Sequence, residues 1–238
     1  MGVGATIRRV CACAGLLTTL SVPSGVLAAD GGSHGDASAA AAPTKKRSSL
    51  VMPGSSFRRR NPVSVQAVRA LSVILRTENI EDPVYLDQRT KVSDMVAEKM
   101  GIDARALHRA WSRSDRAHQI ALLAALTQLD TKYVAGRESP YVQIDCSGLL
   151  WFAWRTAGVD IPRQAVSQMD RRMRVERDDA IAGDVVGEGT HVHIFLGVGR
   201  AMVHAPFNGK SVRLKMMGDE QYARVVWADP SRIATYRL

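Results

Sequence analysis

The sequence contains little cysteine, few aromatic residues and, beyond its N-terminus, no long apolar run. Only 3 of its 238 residues are cysteine, and two of these, Cys11 and Cys13, lie near the N-terminus. A fold built on disulfides is therefore excluded. A helix that crosses a bilayer needs about 20 predominantly apolar residues, and no segment after the N-terminal one offers them. We expect no integral membrane span.

Residues 1–28 have the features of a secretory signal peptide. Arg8 and Arg9 precede an apolar stretch from Val10 to Val22, and the small residues needed for cleavage follow at Val26-Leu27-Ala28. Such a leader is removed from the mature protein. We therefore expect a secreted protein, extracellular or associated with a cell wall, in which a single cysteine remains.

The composition is basic. The 32 lysines and arginines outnumber the 23 acidic residues, which gives a net charge of +9. Loss of Arg8 and Arg9 with the leader leaves 30 basic residues and a net charge of +7. A positive surface favours anionic partners, which outside a cell are wall polymers, acidic wall peptides or lipid headgroups. Nucleic acid is disfavoured by export and by the shortage of aromatic residues among the basic ones. We expect a monomer.

The chain divides into three parts after the leader. Residues 29–62 are rich in alanine, serine, glycine and basic residues and cannot bury a core, so a basic disordered linker is predicted. Residues 63–116 are predicted to form a helical region, and residues 117–238 a separate domain. The basic clusters of the linker, at 45–47 and 58–60, could hold the protein against an anionic wall, although a merely solubilising linker is the simpler interpretation.

Helical spacing of apolar residues predicts four helices in the helical region and just after it. The first spans Val63 to Arg76, and the second spans Asp87 to Met100, where Gly101 ends it. Asp103 and Asp115 are suited to cap the third and fourth helices. The methionine and tryptophan side chains of this region are expected to form a core, and no cofactor site is expected in it.

One helix followed by short strands predicts an α+β domain. The helix is predicted to begin at Cys146, with Asp145 as its N-cap, and to end near Gly158. Strands are predicted at 184–186, 191–196, 200–204, 212–214 and 224–227. Because the strands follow one another closely, a sheet packed on the helix is expected.

Cys146 is the candidate nucleophile. The amides and the dipole at a helix N-terminus favour an anion, so we expect the pKa of this thiol to lie below the value of about 8.5 for a free cysteine. A lone cysteine can also be a small buried apolar residue, but the polar neighbours Asp145 and Ser147 favour a helix start. The sequence thus predicts a thiolate-prone sulfur.

Two strands that carry histidines supply candidate partners for the thiol. His191 and His193 point to the same face of one strand, so spacing alone leaves them tied as the general base. His204, on the next strand, could orient either ring through its second nitrogen, as the third member of a triad does. A thiol, a histidine base and an orienting group are the three parts that nucleophilic catalysis by cysteine requires.

At these residues the sequence resembles the NlpC-type cysteine peptidases of bacterial cell walls. The family signature is Asp-Cys-Ser-Gly-Leu, then His-Val-x-x-(Tyr/Phe)-Leu-Gly, then a third polar residue, often histidine, near the end of the next strand. It is matched at 145–149, 191–197 and 203–206. Ile161-Pro162-Arg163 and Gly183-Asp184-Val185-Val186 resemble two further family segments. The resemblance covers about half of the chain.

The resemblance implies a reduced papain-like α+β fold, in which an N-terminal nucleophile helix packs on an antiparallel sheet. It also implies a catalytic set of Cys146, His191 and His204. The tie between the two histidines of one strand is broken in favour of His191, because the family places its base before valine. His193 then becomes a neighbouring strand residue.

The resemblance further implies a substrate. Family members hydrolyse amide bonds in the stem peptides of peptidoglycan, commonly between D-Glu and a diamino acid. Tyr133 corresponds to a tyrosine that lines the site, and Asp145 and Ser147 to residues that help to receive the free amine of an L-Ala-γ-D-Glu stem. The implied partners are peptidoglycan stem peptides and, through the basic charge, anionic cell-wall polymers; no cofactor and no metal is implied.

The segment before the nucleophile departs from the family. The family usually has Tyr-x-Trp-Gly-Gly there, whereas this chain has Tyr133-Val134-Ala135-Gly136-Arg137. A differently shaped substrate cleft is therefore expected. Arg137 would add positive charge near acidic stem peptides, unless it is simply an exposed loop cation.

The sequence leaves three alternatives to a peptidase. A metal site made of Cys146, His191, His193 and His204 is disfavoured by the long gap after the cysteine and by the lack of a Cys-x-x-Cys or His-x-x-x-His pair. A thiol acyltransferase would use the same nucleophile. A catalytically weak wall-binding or regulatory module would need none of this chemistry.

Overall fold

A computed structural model describes residues 61–207 and 209–234 of the chain. The predicted signal peptide and nearly all of the predicted linker lie outside these residues, so both remain predictions. Within the described ranges, no helix combines the length and the apolar character that crossing a membrane requires.

In the described ranges, four helices precede the first strand, as predicted. Helix α2 begins at Pro83 rather than at Asp87, because Asp82 caps it and proline is favoured in a first turn. The bounds are α1 (Pro62–Ile74), α2 (Pro83–Met100), α3 (Ala104–Arg113) and α4 (Arg116–Thr127).

Short polar side chains set the starts of these helices. In each case a side-chain oxygen accepts a hydrogen bond from a backbone amide of the first turn, which has no partner inside the helix. The predicted caps of α3 and α4 are confirmed, and so is the end of α2 at Gly101, where φ is 65°. The four capping residues are Asn61, Asp82, Asp103 and Asp115.

Within the described residues, nine short strands form two sheets. The first three strands are β1 (Lys132–Tyr133), β2 (Glu138–Ser139) and β3 (Gln143–Ile144), and they are followed by helix α5 (Cys146–Thr156). The next five are β4 (Arg174–Val175), β5 (Val185–Glu188), β6 (His191–Phe195), β7 (Ala201–His204) and β8 (Arg213–Met216). The chain continues with α6 (Asp219–Arg224), β9 (Val226–Ala228) and α7 (Ser231–Ala234).

The larger sheet confirms the predicted α+β class. Its strand order is β4-β9-β5-β6-β7-β8, and the neighbouring strands pair antiparallel. The last predicted strand, at 224–227, is shifted to β9, because residues 219–224 form α6. The small sheet, of order β1-β3-β2, precedes α5 and was not predicted beyond an extended piece at Tyr133.

Helix α5 packs between the larger sheet and α4. Val192 and Ile194 of β6 are buried with Leu149 of α5 in the main apolar cluster. Phe195 faces the other side of the sheet and packs with Trp227 in a second cluster. Because side chains alternate along a strand, the histidines of β6 lie on the face shared with Phe195.

The helical region and the sheet share one core. Buried apolar side chains of α1 to α4 belong to the same cluster as those of α5 and β6. The indole Nε1 of Trp111 donates a hydrogen bond of 2.8 Å to the carbonyl of Leu196, and Ser114 Oγ donates one of 2.9 Å to the carbonyl of Ala182. The domain boundaries predicted from the sequence remain predictions.

Candidate active site

Cys146 occupies the first position of α5, and its side chain reaches the start of β6. Its Sγ is 3.8 Å from the carbonyl oxygen of Thr190, and the Val192 amide donates a hydrogen bond to the sulfur. The Leu196 amide donates a hydrogen bond to the carbonyl of Ala201 in β7. Because successive residues of a strand alternate in direction, the backbone amide and carbonyl groups of Thr190 and Val192 also point toward the β7 side of β6. The sulfur therefore lies at the β7 edge of β6, before the ladder between the two strands begins.

The pKa of Cys146 is raised, so the prediction of a thiolate-prone sulfur is wrong. Burial is the main cause, because the residue is only 6% exposed and the charged form loses hydration. The carboxylate of Asp145, which caps the same helix, also opposes a negative sulfur. Hydrogen bonds from the amides of Val192 and Ser147 act in the opposite direction without outweighing burial. The side chain of Cys146 is therefore a neutral thiol near pH 7.

His191 and His204 form a pair at this edge. His191 lies between the two residues whose backbone groups contact the sulfur, and its Nε2 is 3.1 Å from Nδ1 of His204. The Nδ1 of His191 is buried and has no hydrogen-bond partner among the described residues. The structure thus brings these two predicted site residues together. One ring nitrogen of His191 bonds to His204, and the other has no hydrogen-bond partner among the described residues.

Both imidazoles of this pair are neutral near pH 7. Burial lowers the pKa of His191 to about 4 and that of His204 to about 3. The positive charge of Lys215 on β8 lowers both pKa values further. A neutral imidazole is the form that accepts a proton.

His193 lies two residues after His191 on the same face, as predicted. Its ring stacks on that of His204, with 4.8 Å between centroids, and meets the His191 ring edge-on at 4.6 Å. The residue is fully buried, and neither ring nitrogen has a partner in the described part of the chain. Burial holds its pKa far below the ordinary value. One nitrogen from each of the three histidines lies within 4.8 Å of the others, so this cluster could hold a metal ion.

Phe207 lies beside His191, and Tyr133 lies beside Phe207. Burial raises the pKa of Tyr133, and negative charge on Cys146 or Asp145 raises it further. Its ring is 6.0 Å from that of Phe207, which in turn is 4.5 Å from the imidazole of His191. The structure thus links Tyr133 to His191 through the ring of Phe207, and its role in lining the site remains a prediction.

Arg163 connects the two other residues predicted to bind substrate. Its guanidinium donates hydrogen bonds to Asp145 Oδ2 at 2.9 Å and to Ser147 Oγ at 2.8 Å, and it pairs with Glu138. Asp145 is also the predicted N-cap of α5, since it accepts a bond of 2.6 Å from the Gly148 amide. The groups expected to receive a substrate amine are therefore engaged by an arginine of the same chain.

The sequence had assigned no role to Arg163, Lys215 or Phe207. Arg163 lies in a segment that resembles the family, but nothing in its spacing indicated its partners. Lys215 belongs to a strand in which basic and apolar residues alternate, and its Nζ bonds to Gln221 at 2.7 Å. Each of these residues reaches the site through contacts between distant parts of the chain, which a sequence pattern does not encode.

A second cluster of titratable residues lies away from the sulfur. The ring of His118 in α4 is 2.9 Å from Asp115, 3.1 Å from Asp184 and 3.2 Å from Asp229. Burial opposes a charge on His118, but hydrogen bonds to the three carboxylates outweigh it and raise the pKa to about 11. The imidazolium therefore has a structural role in joining α4 to the ends of two other segments.

Comparison with known proteins matches the part of the chain that contains Cys146 and the three clustered histidines. Residues 130–229 match the model of the NlpC/P60 family. The bifunctional muramidase/DL-endopeptidase CwlT of Bacillus subtilis is 32% identical over 91 residues, which are 35% of this chain and 28% of that protein. The murein DD-endopeptidase MepH of Escherichia coli is 28% identical over 123 residues, which are 48% of this chain and 45% of that protein.

A solved structure of similar type is the P60 domain of an antigen from M. avium subspecies paratuberculosis. It is 22% identical with a TM-score of 0.42, over 48% of this chain and 95% of that one. The chain spans less than half of the length of the two curated relatives. Residues 130–229, which carry the cysteine, the three histidines and Arg163, form a domain of the NlpC/P60 family.

Proposed function

We propose that this chain is a secreted peptidoglycan endopeptidase, a cysteine peptidase that hydrolyses amide bonds of stem peptides. The observation that carries the proposal is the position of Cys146 at a helix start, against the backbone on both sides of His191, while His191 bonds to His204. The family match and two relatives named as endopeptidases support it.

In the proposed reaction, Nδ1 of His191 accepts the thiol proton of Cys146 while the sulfur attacks the carbonyl carbon of the amide. The resulting oxyanion is stabilised by backbone amides at the start of α5, where those of Cys146 and Ser147 point toward the sulfur. His191 then gives the proton to the leaving amine, and the acyl group stays on the sulfur as a thioester. Water attacks the thioester with His191 as base, which releases the acid and restores the thiol.

His204 is proposed as the residue that orients His191. If Nδ1 of His204 accepts the hydrogen bond, the ring proton of His191 lies on Nε2. The lone pair of the other nitrogen of His191 is then available to the thiol. His204 is in this sense a positioning residue, since it acts on substrate only through His191.

Tyr133, Asp145 and Ser147 are proposed to line the part of the cleft that takes the free amine of the stem peptide. Arg163 bonds to Asp145 and Ser147, so an incoming amine has to share or displace its guanidinium. The bond between D-Glu and the diamino acid is the proposed point of cleavage. The two relatives are named for DL- and DD-endopeptidase activities, so their names support the class of substrate rather than one bond.

We also propose export through the predicted signal peptide and action as a monomer at the cell wall. The mature chain carries a net charge of +7 once Arg8 and Arg9 are removed. A positive surface of this kind favours contact with anionic wall polymers, which would keep the peptidase close to its substrate.

Cys146→Ala tests the proposal, because it removes the nucleophile and leaves the rest of the cleft in place. We expect the wild-type protein to release new muropeptide fragments, measured by mass spectrometry, and the variant to release none. His108→Gln is a matched control, since His108 is a partly exposed histidine of α3 paired with Asp94. It should hydrolyse like the wild type.

The same experiment separates the alternatives. Unchanged muropeptide masses with wild-type protein, together with wall pull-down by both proteins, would favour a binding module. Products in which the cut carbonyl is joined to a second amine instead of gaining water would favour an acyltransferase. Either outcome would contradict the peptidase proposal.

A further inference from the structure

Three imidazole rings from two neighbouring strands meet near the start of β6, where the backbone of Thr190 and Val192 contacts the sulfur of Cys146. One nitrogen each of His191, His193 and His204 lies within 4.8 Å of the other two, and the closest pair, Nε2 of His191 and Nδ1 of His204, is 3.1 Å apart. Zinc–nitrogen bonds of about 2.0–2.1 Å at tetrahedral angles set ligand nitrogens about 3.3 Å apart. The separation of this pair is close to the spacing of zinc ligands, and the remaining separations, which reach at most 4.8 Å, have to shorten for all three nitrogens to share one ion.

The nitrogens of this cluster lack other partners. Both ring nitrogens of His193, Nε2 of His204 and Nδ1 of His191 are buried without a hydrogen bond to any residue that the structure describes. Buried polar groups without a partner are costly. The proposed reaction needs His191 and His204, but it gives no reason for a fully buried third imidazole where an apolar side chain would fit more cheaply.

We propose that His191, His193 and His204 form a binding site for Zn²⁺. Three neutral imidazoles and a water molecule are a common zinc ligand set. An all-nitrogen site excludes Ca²⁺ and Mg²⁺, which prefer oxygen ligands. His191 is the most accessible of the three residues, so the ion enters from the cleft side.

Zinc at this site switches the peptidase off, a consequence that rests on the proposed function. Coordination through Nε2 of His191 leaves the ring proton on Nδ1, which is the nitrogen that has to accept the thiol proton of Cys146. It also replaces the hydrogen bond to His204. The nucleophile then has no base.

Zinc titration of the Cys146→Ala protein by isothermal calorimetry tests the site without requiring activity. We expect one Zn²⁺ per chain. Adding His193→Phe, which keeps a ring against His204, should weaken binding by at least about tenfold, the loss that outer-shell partners alone can cause. Adding His108→Gln should leave binding unchanged. Binding that survives His193→Phe, or that requires the Cys146 thiol, would overturn the three-imidazole site.

A second variant, His193→Gln, guards against misfolding of the phenylalanine protein, and circular dichroism checks that each variant is folded. Zinc inhibition is measured for each folded variant as its rate with Zn²⁺ divided by its rate without Zn²⁺, and both substitutions should raise this ratio toward one. Zinc binding without any peptidase activity would support the zinc site and contradict the proposed function. Peptidase activity in a protein that does not bind zinc and is not slowed by it would contradict the zinc site and leave the proposed function intact.

Discussion

In the proposed reaction, proton transfer from Cys146 to His191 accompanies the attack on the substrate, because both groups are neutral in the resting site. Burial raises the pKa of the thiol and lowers the pKa of the imidazole, which disfavours an ion pair before substrate arrives. His191 then depends on its second nitrogen being held, since a rotated ring presents no lone pair to the sulfur. His204 is the residue in position to hold it.

His204→Ala should therefore lower kcat more than it changes KM. The lost hydrogen bond supports an imidazolium in the transition state, and such bonds to charged groups contribute about 1.5–3 kcal/mol, which corresponds to about a ten- to hundredfold loss in kcat. His204→Asn, which keeps a polar partner for His191, should recover part of the rate. Steady-state kinetics on a purified stem peptide measures both. An unchanged kcat in the alanine variant would remove His204 from the mechanism.

The positions of these residues were predictable from the sequence, but their electrostatics were not. Cys146 and its cap Asp145 lie within one local motif, and alternation along a strand correctly put His191 and His193 on one face. The raised pKa of the thiol depends on burial against a strand that lies 44 residues further along the chain. A helix start alone predicted the opposite direction, because it describes only the local contribution.

At the scale of single elements, the start of α5 is crowded around Gly148. A Cβ atom on Gly148 would lie 2.6 Å from the carbonyl oxygen of Arg137, 2.9 Å from Asp145 Oδ1 and 3.2 Å from the guanidinium of Arg163. The carbonyl oxygen of Arg137 is a backbone atom, so it can move only if the loop before α5 moves with it. Glycine is therefore required here by the close approach of that loop to the helix.

Gly148→Ala should destabilise the protein and reduce its activity together. Alanine gains up to about 1 kcal/mol in helix propensity, but overpacking against fixed atoms costs about 1–3 kcal/mol, so the net change is a loss. Gly218→Ala is the matched control, because nothing lies within 4 Å of a Cβ at Gly218; its cost should stay below about 1 kcal/mol. Urea unfolding measures both, and equal stability of the two variants would contradict the crowding argument.

Helices and strands with a strong local sequence pattern could be predicted from the sequence, whereas the two-residue strands could not. The helices capped by Asp103 and Asp115 start where their side chains predicted, and strand β6 follows the predicted stretch closely. The start of α2 was missed although Asp82-Pro83 is a helix-start signal. Strands β2, β3 and β4 have two residues each, which is too short for a periodic pattern, so only their partners in the folded chain define them.

At the scale of the whole molecule, His118 connects helix α4 to the larger sheet. Asp184 precedes β5 and Asp229 follows β9, and both carboxylates lie within 3.2 Å of the His118 ring. The sequence separation of 66 residues between His118 and Asp184 explains why no local pattern indicated this contact. The same limit applies to the hydrogen bond from Trp111 to Leu196, which only the assembled core reveals.

His118→Gln should destabilise the protein strongly at neutral pH. Removing one partner leaves buried carboxylates without their charge partner, which costs about 3–5 kcal/mol in comparable buried pairs. His108→Gln is the control, because its pair with Asp94 is solvent-exposed and exposed pairs contribute at most about 1 kcal/mol. Urea unfolding of both variants and the wild type at pH 7 measures the difference.

The pH dependence of that difference identifies its cause. Because folding raises the pKa of His118 from 6.5 to about 11, the stabilisation is fully present below pH 6.5 and is lost as the pH rises toward 11. The gap in unfolding free energy between wild type and His118→Gln should therefore shrink by about 1.4 kcal/mol per pH unit between pH 7 and 9. A constant gap over this range would mean that His118 stabilises the fold by packing against Trp154, whose ring centroid is 4.9 Å away, rather than through its charge.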